Sequence, residues 1–530
     1  MSEKNKVWRI AAGAIFVFVI GAGLLAWRAR HMEALLREAV VAQLSERLQS
    51  DVELRALHVH VFPRIGVEGE GLVLRHHGRT DIPPLLQIER FSFESGPSGL
   101  LRLPQHIELV RVEKMTLTLP PREGKKEDHP WEISRAMKFP KMILDWVECK
   151  DADILTTPTK PGKEPLDWRI HDLWLQDVDS GKPFGFHGTL TNAQPVGEIA
   201  TKGQFGPWDA NDPGNSAVAG GYAFKNADLG PFPGIAGTLS SDGQFTGVLR
   251  ELAVKGSTET PNFSLDTNGT PVTLHTDFDA TVDGTNGDTL LHPVRAKLGR
   301  TPIFAEGKII LVAKESHLVE LAVNVSQGRI EDILNLAVRS AKPSLNGPIK
   351  LEAKFTVLPG KATVLQRLVL DGAFGVEDAK WSNAEVRERL ESLSRKAQGK
   401  PSDEDIGSAV SDLRGTFHLE KGLVVFRSVT FGVEGAQIDL AGTYDLSGGA
   451  LDLKGHLRMK AKLSQTMTGA KSFFLKAFDP FYSKNGAGTE LPITITGTRE
   501  KPVFGVSVFH KEIKKEIKAE SSGDKKGQKK

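Results

Sequence analysis

Cysteine is nearly absent: Cys149 is the only one in 530 residues. A single thiol excludes an intrachain disulfide and any zinc site built on paired cysteines. So little cysteine in so long a chain suits an oxidising compartment. An excess of one charge is missing too. Lys+Arg number 68 against 66 Asp+Glu, a net charge of +2, so no global field draws the chain to nucleic acid. There is no H-E-x-x-H, no G-x-S-x-G, no Walker A loop and no G-x-G-x-x-G after a strand. The residues therefore give no enzyme, no cofactor and no nucleotide site. Beyond the N-terminus no apolar run is long enough to span a bilayer. What remains is 39% hydrophobic residues and 53 glycines, a profile of elongated, turn-rich β-proteins.

The clearest positive signal is Ile10–Trp27, IAAGAIFVFVIGAGLLAW, which contains no charge. As a helix it spans roughly 27 Å, close to the hydrocarbon thickness. Lys4, Lys6 and Arg9 precede it, Arg28 and Arg30 follow it, and Trp8 and Trp27 stand at its ends, where indoles favour the interface. A cleaved signal peptide needs a small-x-small site after the run, and Trp-Arg-Ala-Arg offers none. The reading is a retained anchor, with Met1–Arg9 in the cytoplasm and the rest exported. His31–Leu48 then places Leu36, Val40, Leu44 and Leu48 on one stripe of an amphipathic helix.

From Asp51 the period changes to two. Leu57, Val59 and Val61 alternate with His58 and His60, and Met115, Leu117 and Leu119 with threonines. Val272 to Val282 and Ile349 to Val357 follow the same rule, and Leu451–Leu463 carries it furthest, predicting a strand of roughly 40 Å. Asp283-Gly284, Asn286-Gly287, Asn346-Gly347, Lys421-Gly422 and Ser447-Gly448-Gly449 read as turns. The predicted fold is mostly β, a long antiparallel meander with one dry face and one wet face. Helices are expected only at Arg329–Ser340, Asn383–Ala397 and Ser464–Phe478. Glu123–His129, Asn211–Ser216 and Lys396–Asp405 read as low-order linkers, and Ser521–Lys530 as a disordered tail.

A sheet with one apolar face must cover it. It closes into a barrel, packs on another sheet, or curls into a trough whose ligand would be lipid tails. Periodicity alone leaves a filled core and an open trough both standing.

Several segments resemble the AsmA-like family of envelope proteins, distantly related to chorein-type bridge-like lipid transfer proteins. Near the N-terminus these are the anchor, the helix, LRALHVHVFPRIGVEGEGLVL (Leu54–Leu74), PPLLQIERFSFE (Pro83–Glu94), GLLR (Gly99–Arg102) and IELVRVEKMTLTLPP (Ile107–Pro121). Further on, Gly328–Phe355, Leu370–Leu393, Asp412–Gly455 and Leu463–Val506 are similar as well. The resemblance implies a tail (1–9), a transmembrane helix (10–27), an N-terminal β domain (31–121), a central β region (122–325), a C-terminal region (326–510) and a charged tail (511–530). It implies an inner-membrane, single-pass protein whose periplasmic body is a curled, taco-like sheet with a hydrophobic groove. The implied role is phospholipid transport between inner and outer membranes, or outer-membrane lipid balance. The implied partners are phospholipids, the inner membrane and other envelope proteins. It supplies no catalytic residue. A scaffold for outer-membrane proteins without lipid cargo is the alternative.

On these grounds Leu351, Phe355, Leu440, Leu451, Leu453, Leu457 and Met459 are groove candidates. Trp8, Arg9, Trp27, Arg28, Phe473, Phe474 and Phe478 are membrane-interface candidates. The histidines His58, His60, His76 and His77 lack an acidic or cysteine partner at ligand spacing, so they read as solvent-facing rather than as a metal site. Asp277, Asp279, Asp283 and Asp288 lack calcium-loop spacing. The basic row Lys454, Arg458, Lys460 and Lys462 reads as a solvated face before it reads as a headgroup site.

Overall fold

The computed structural model describes residues 33–506, with breaks at 47–49, 61–63, 77–82, 97–104, 120–141, 157–165, 180, 210–211, 266–269, 313–315, 338–342, 344, 403–410, 469–475, 477–478, 484–487 and 499–500. The expected anchor Ile10–Trp27, with Trp8, Arg9, Trp27 and Arg28, lies outside these residues, as do Phe473, Phe474 and Phe478. Among the described residues no helix is long and apolar enough to cross a membrane.

Alternating apolar and polar side chains, punctuated by Gly and Asx turns, build 25 strands that belong to one sheet. They are β1 (Ser50–His60), β2 (Ile65–His76), β3 (Leu86–Ser95), β4 (Gln105–Leu119), β5 (Met142–Thr156), β6 (Asp167–Val178), β7 (Phe184–Asn192), β8 (Gly197–Phe205) and β9 (Ala217–Asp228). Next come β10 (Ile235–Ala236), β11 (Thr238–Val248), β12 (Glu251–Leu265), β13 (Val272–Val282), β14 (Thr289–Leu298), β15 (Thr301–Val312) and β16 (Ser316–Arg329). The series ends with β17 (Leu345–Asn346), β18 (Pro348–Val357), β19 (Leu368–Trp381), β20 (Ser411–Glu420), β21 (Leu423–Val433), β22 (Ala436–Asp445), β23 (Ala450–Met459), β24 (Thr489–Thr498) and β25 (Pro502–Val506). Two compact units divide the chain, one of residues 1–227 with 242–253, the other of 228–241 with 254–530.

In the first unit, β1 to β9 pair in sequence order. One pairing departs from the expected antiparallel meander: β4 and β5 run parallel, Gln105 beside Met142 through Leu119 beside Thr156. A parallel neighbour requires the chain to return to the same end of the sheet before re-entering it. Residues 120–141, the expected linker Glu123–His129 among them, lie outside the described residues. Gly71, at φ 66°, lies opposite Arg55, a pair missing from an otherwise continuous β1–β2 register. Val52, Leu54 and Leu57 are the buried residues of β1. Helix α1 (33–46) docks on β1 through two polar contacts, Glu33 Oε1 accepting from Val59 N (3.3 Å) and Arg37 Nη1 donating to Arg55 O (3.3 Å). Val40 and Leu44 are half-buried, but Leu36, expected on the same stripe, is 40% exposed.

Of Asn211–Ser216, expected as a low-order linker, the described part, Asp212–Ser216, is built as a turn. Pro213–Asn215 form a 3-10 helix capped by Asp212, Arg250 Nη2 donates to Asp212 Oδ1 at 2.7 Å, and Ser216 is fully buried.

In the second unit, β13 to β16 and β18 to β25 pair in order, all antiparallel, while β17 adds two residues against the end of β19. The expected helices appear as α2 (Ile330–Ala337) and α3 (Ala384–Ala397). Of the third, Ser464–Phe478, most lies outside the described residues; its start falls in a 3-10 turn, Leu463–Thr466, and a single helical turn, Asp479–Tyr482, follows it. Asn346-Gly347 is a kink between β17 and β18 rather than a hairpin turn. Strand β23 stops at Met459 instead of Leu463 because Lys460 N turns to Gly435 O (2.9 Å) and Ala461 N to Ala397 O at the end of α3 (2.9 Å).

Candidate functional site

Register decides which side chains share a face. Across β18 to β24 one row reads Leu351, Phe374, Gly415, Val429, Leu440, Gly455 and Ile493. The next reads Ala353, Gly372, Phe417, Phe426, Gly442, Leu453 and Ile495. A third carries Phe355, Leu370, Leu419, Val424, Tyr444 and Leu451. A fourth, nearer the helices, carries Ile349, Val376, Leu413, Phe431, Ile438, Leu457 and Leu491. All seven predicted groove residues are therefore on one face of one unit.

They do not share one environment. Leu440, Leu457 and Met459 are 5–9% exposed and belong to a packed core with Phe431, Val433, Leu491 and Ala397 of α3. Leu390 and Leu393 of α3 press on that core. A second core packs Ile330, Ile333 and Leu334 of α2 onto Ile349, Val376 and Ala379. Leu351, Phe355, Leu451 and Leu453 are only half-buried. The apolar face is thus filled where the helices lie and mixed beyond them, where Leu419 (3%) and Val424 (8%) are buried while Leu351, Phe355 and Leu451 are half-buried. Each fully buried Leu or Phe contributes about 1.5–3 kcal/mol, so the filled part holds the helices down, and the half-buried residues leave apolar surface unspent.

Polar groups lock α2 in place. Asp332 Oδ2 accepts from Arg300 N (3.0 Å) and Thr301 Oγ1 (2.8 Å). Glu331 accepts from Arg300 Nη2 (2.9 Å), Arg329 Nε (2.8 Å) and Gly347 N (3.2 Å). Burial pushes the Glu331 carboxyl up, but the backbone N–H groups and Arg329 outweigh it, and its pKa lies below the ordinary value. Both carboxylates sit in the first turn of the helix, where its dipole favours them. α3 is tied similarly: Ser394 Oγ donates to Glu434 O (2.9 Å) in the turn before β22.

The opposite face is polar and paired. His418 and Arg427 both reach Asp371 (3.0 Å), Lys350 reaches Glu377 (3.1 Å), and Arg458 reaches Asp439 (2.8 Å). Of the basic row, Lys454 pairs with Asp452 and Arg458 with Asp439, while Lys460 and Lys462 are exposed. The aspartates weighed for calcium are used locally. Asp279 pairs with Lys255 (2.8 Å), Asp283 accepts from Thr285 N (2.8 Å), and Asp288 from Leu311 N (2.7 Å). His58 faces Glu33 at 3.6 Å. Among the described residues no group of three or more His, Cys, Asp or Glu side chains is arranged to hold a metal.

Phe374, Phe417, Leu370 and Phe426, half-buried, and Leu419, buried, belong to the same face and were not singled out from sequence. Their signal was present in the alternation, but bulges between Thr416 and Phe417 and between Phe426 and Val429 interrupt it. Phe374 and Phe417 lie 6.2 Å apart and cover Gly415 and Gly372 respectively, where a Cβ would strike each ring.

Neither a scan against protein-family models nor a search of curated proteins finds a match for this chain.

Proposed function

We propose that the chain is an AsmA-like envelope protein, anchored in the inner membrane by Ile10–Trp27, with a β-sheet body in the periplasm that carries phospholipid acyl chains. The observation that supports this most is the four adjacent apolar rows of β18 to β24, in which Leu351, Phe355, Leu451 and Leu453 are only half-buried. Curling of the sheet around those rows would make a trough. Each CH₂ withdrawn from water is worth about 0.8 kcal/mol, so an acyl chain moves along such a face without meeting the barrier that water imposes. Uniform apolar contacts without strong specific ones suit passage better than retention. Trp8, Arg9, Trp27, Arg28, Phe473, Phe474 and Phe478 would hold the protein at the bilayer surface, and direction would come from partners or gradients.

Native mass spectrometry of the body from Arg30 onward, purified without detergent, tests the reading. Bound phospholipid above trace amounts is expected, and a well-folded Leu453→Asp protein should lose it. A stable body free of lipid would overturn the carrier reading in favour of a scaffold for envelope proteins, since the α2 and α3 cores show that this face fills by packing where helices reach it.

A further inference from the structure

The polar face of the first unit is held by ion pairs over most of its length. Arg111 reaches Glu94 (2.7 Å) and Glu148 (3.3 Å), Lys150 pairs with Glu148, Arg90 with Glu113 (3.3 Å), and Lys114 with Glu89 (2.9 Å). At one place this pattern stops. The row Leu109, Trp146, Gln176, Gly185 and Gln204 carries no charge at all. Beside it Trp174 stands opposite His187, and His187 opposite Lys202.

Trp146 is 41% exposed and meets Trp174 edge-on, ring centroids 6.4 Å apart at 81°. Trp174 in turn stacks on His187, centroids 6.2 Å apart and planes within 7°. Gly185, Gly203, Gly220 and Gly221 leave the neighbouring floor without side chains, and the result is an open depression of about 870 Å³. Gln176, Lys202, Gln204 and Gln244 surround it with exposed side chains. None of these four side chains has a hydrogen-bond or ion-pair partner among the described residues.

Cross-strand packing accounts for Trp174 on His187. It does not account for an exposed indole among unpaired amides on a face that otherwise pairs its polar groups. We propose that the depression is a saccharide-binding site that takes an uncharged, unbranched pyranose chain. The C–H face of a pyranose is apolar and lies flat on an aromatic ring, and its hydroxyls project at the edges. Glutamine amides both donate and accept, which matches hydroxyls and acetamido groups, whereas phosphate recognition would call for several cations. Lys202 is the one cation among the lining residues. The site would bind and not cleave, because glycoside hydrolysis needs a pair of carboxylates across the bond, and the adjacent Glu148 is engaged by Arg111 and Lys150. This site lies in a different unit from the apolar rows of β18 to β24 and does not rest on the lipid reading.

The test is calorimetric titration of the full chain, in a sugar-free detergent, with chitohexaose and with cellohexaose. Saturable binding of at least one is expected. Trp146→Ala should weaken it at least tenfold and Trp146→Phe much less, while Trp168→Phe, a tryptophan hydrogen-bonded to Asn192 elsewhere in the sheet, should leave it unchanged. If circular dichroism shows Trp146→Ala to be misfolded, the paired surface change Gln204→Ala with Lys202→Ala replaces it, with the same tenfold loss expected. No saturable binding of either oligosaccharide, or equal binding by the folded variants, would overturn the proposal.

Discussion

Leu457 and Leu451 lie on the same face of β23, yet the first is 8% exposed and the second half-buried. Leu457→Ala should cost about 2–5 kcal/mol, because α3 prevents the core from collapsing into the vacated space. Leu451→Ala should cost well under half as much. Urea unfolding of the two variants measures the difference, and equal losses would mean that the face is filled along its whole length. Glu331 makes a different contribution. Its folded pKa is depressed, so the stability it adds is complete above the unfolded carboxylate value of about 4.3 and is lost as pH falls through the folded value. Glu331→Gln should lower stability at pH 7 by roughly 1–3 kcal/mol. It should also flatten the fall in thermal stability below pH 4.3, approximately the range in which wild type loses this contribution. Cys149 of the first unit, 7% exposed, has its thiol pKa pushed up by burial and is a packing residue there.

Alternation along single strands is the feature that assigns faces. On β23, Leu451 and Leu453 stand on the apolar side and Asp452 and Lys454 on the wet side. A photoreactive residue placed at each position in turn in the membrane-embedded protein should capture phospholipid at 451 and 453 and not at 452 or 454. Capture without regard to parity would speak against an apolar face as the path. Bulges and left-handed glycines set where the phase changes. Gly442, at φ 146°, sits where any Cβ would run into Asp452 O. Gly442→Val should therefore destabilise by on the order of 1–3 kcal/mol or more, read as a lowered midpoint in chemical unfolding. A neutral result would show that β22 can shift away from β23.

At the scale of the molecule, sheet growth in sequence order carries the chain from β1 to β9 in one unit and from β13 to β25 in the other. The series ends in β25, which pairs only with β24 among the described residues and leaves Val503 and Phe504 59% and 58% exposed. Bare edge strands template further pairing. Val503→Lys with Phe504→Lys should change folding stability by no more than about 0.5 kcal/mol and should reduce self-association, measured by sedimentation velocity across a concentration series. Unchanged association would place any contact between copies elsewhere.

The sequence by itself determined the β class, the positions of α2 and α3, the turns at Lys421-Gly422 and Ser447–Gly449, and the parity of all seven groove candidates. Each follows from local chemistry: a period of two, a helical stripe such as Ile330, Ile333 and Leu334, or residues that tolerate left-handed backbone. Tertiary structure decided the rest, because the deciding partners are remote in sequence. Ala397 O draws Ala461 out of the strand and ends β23 early. Arg250 holds Asp212 at the cap of the Pro213–Asn215 turn, where a linker was expected. The parallel join of β4 to β5 depends on a return path that no periodicity encodes. Leu457 and Leu451 stand on the same face by alternation, and only the core that includes Ala397 of α3 makes the first a buried residue while the second stays half-buried.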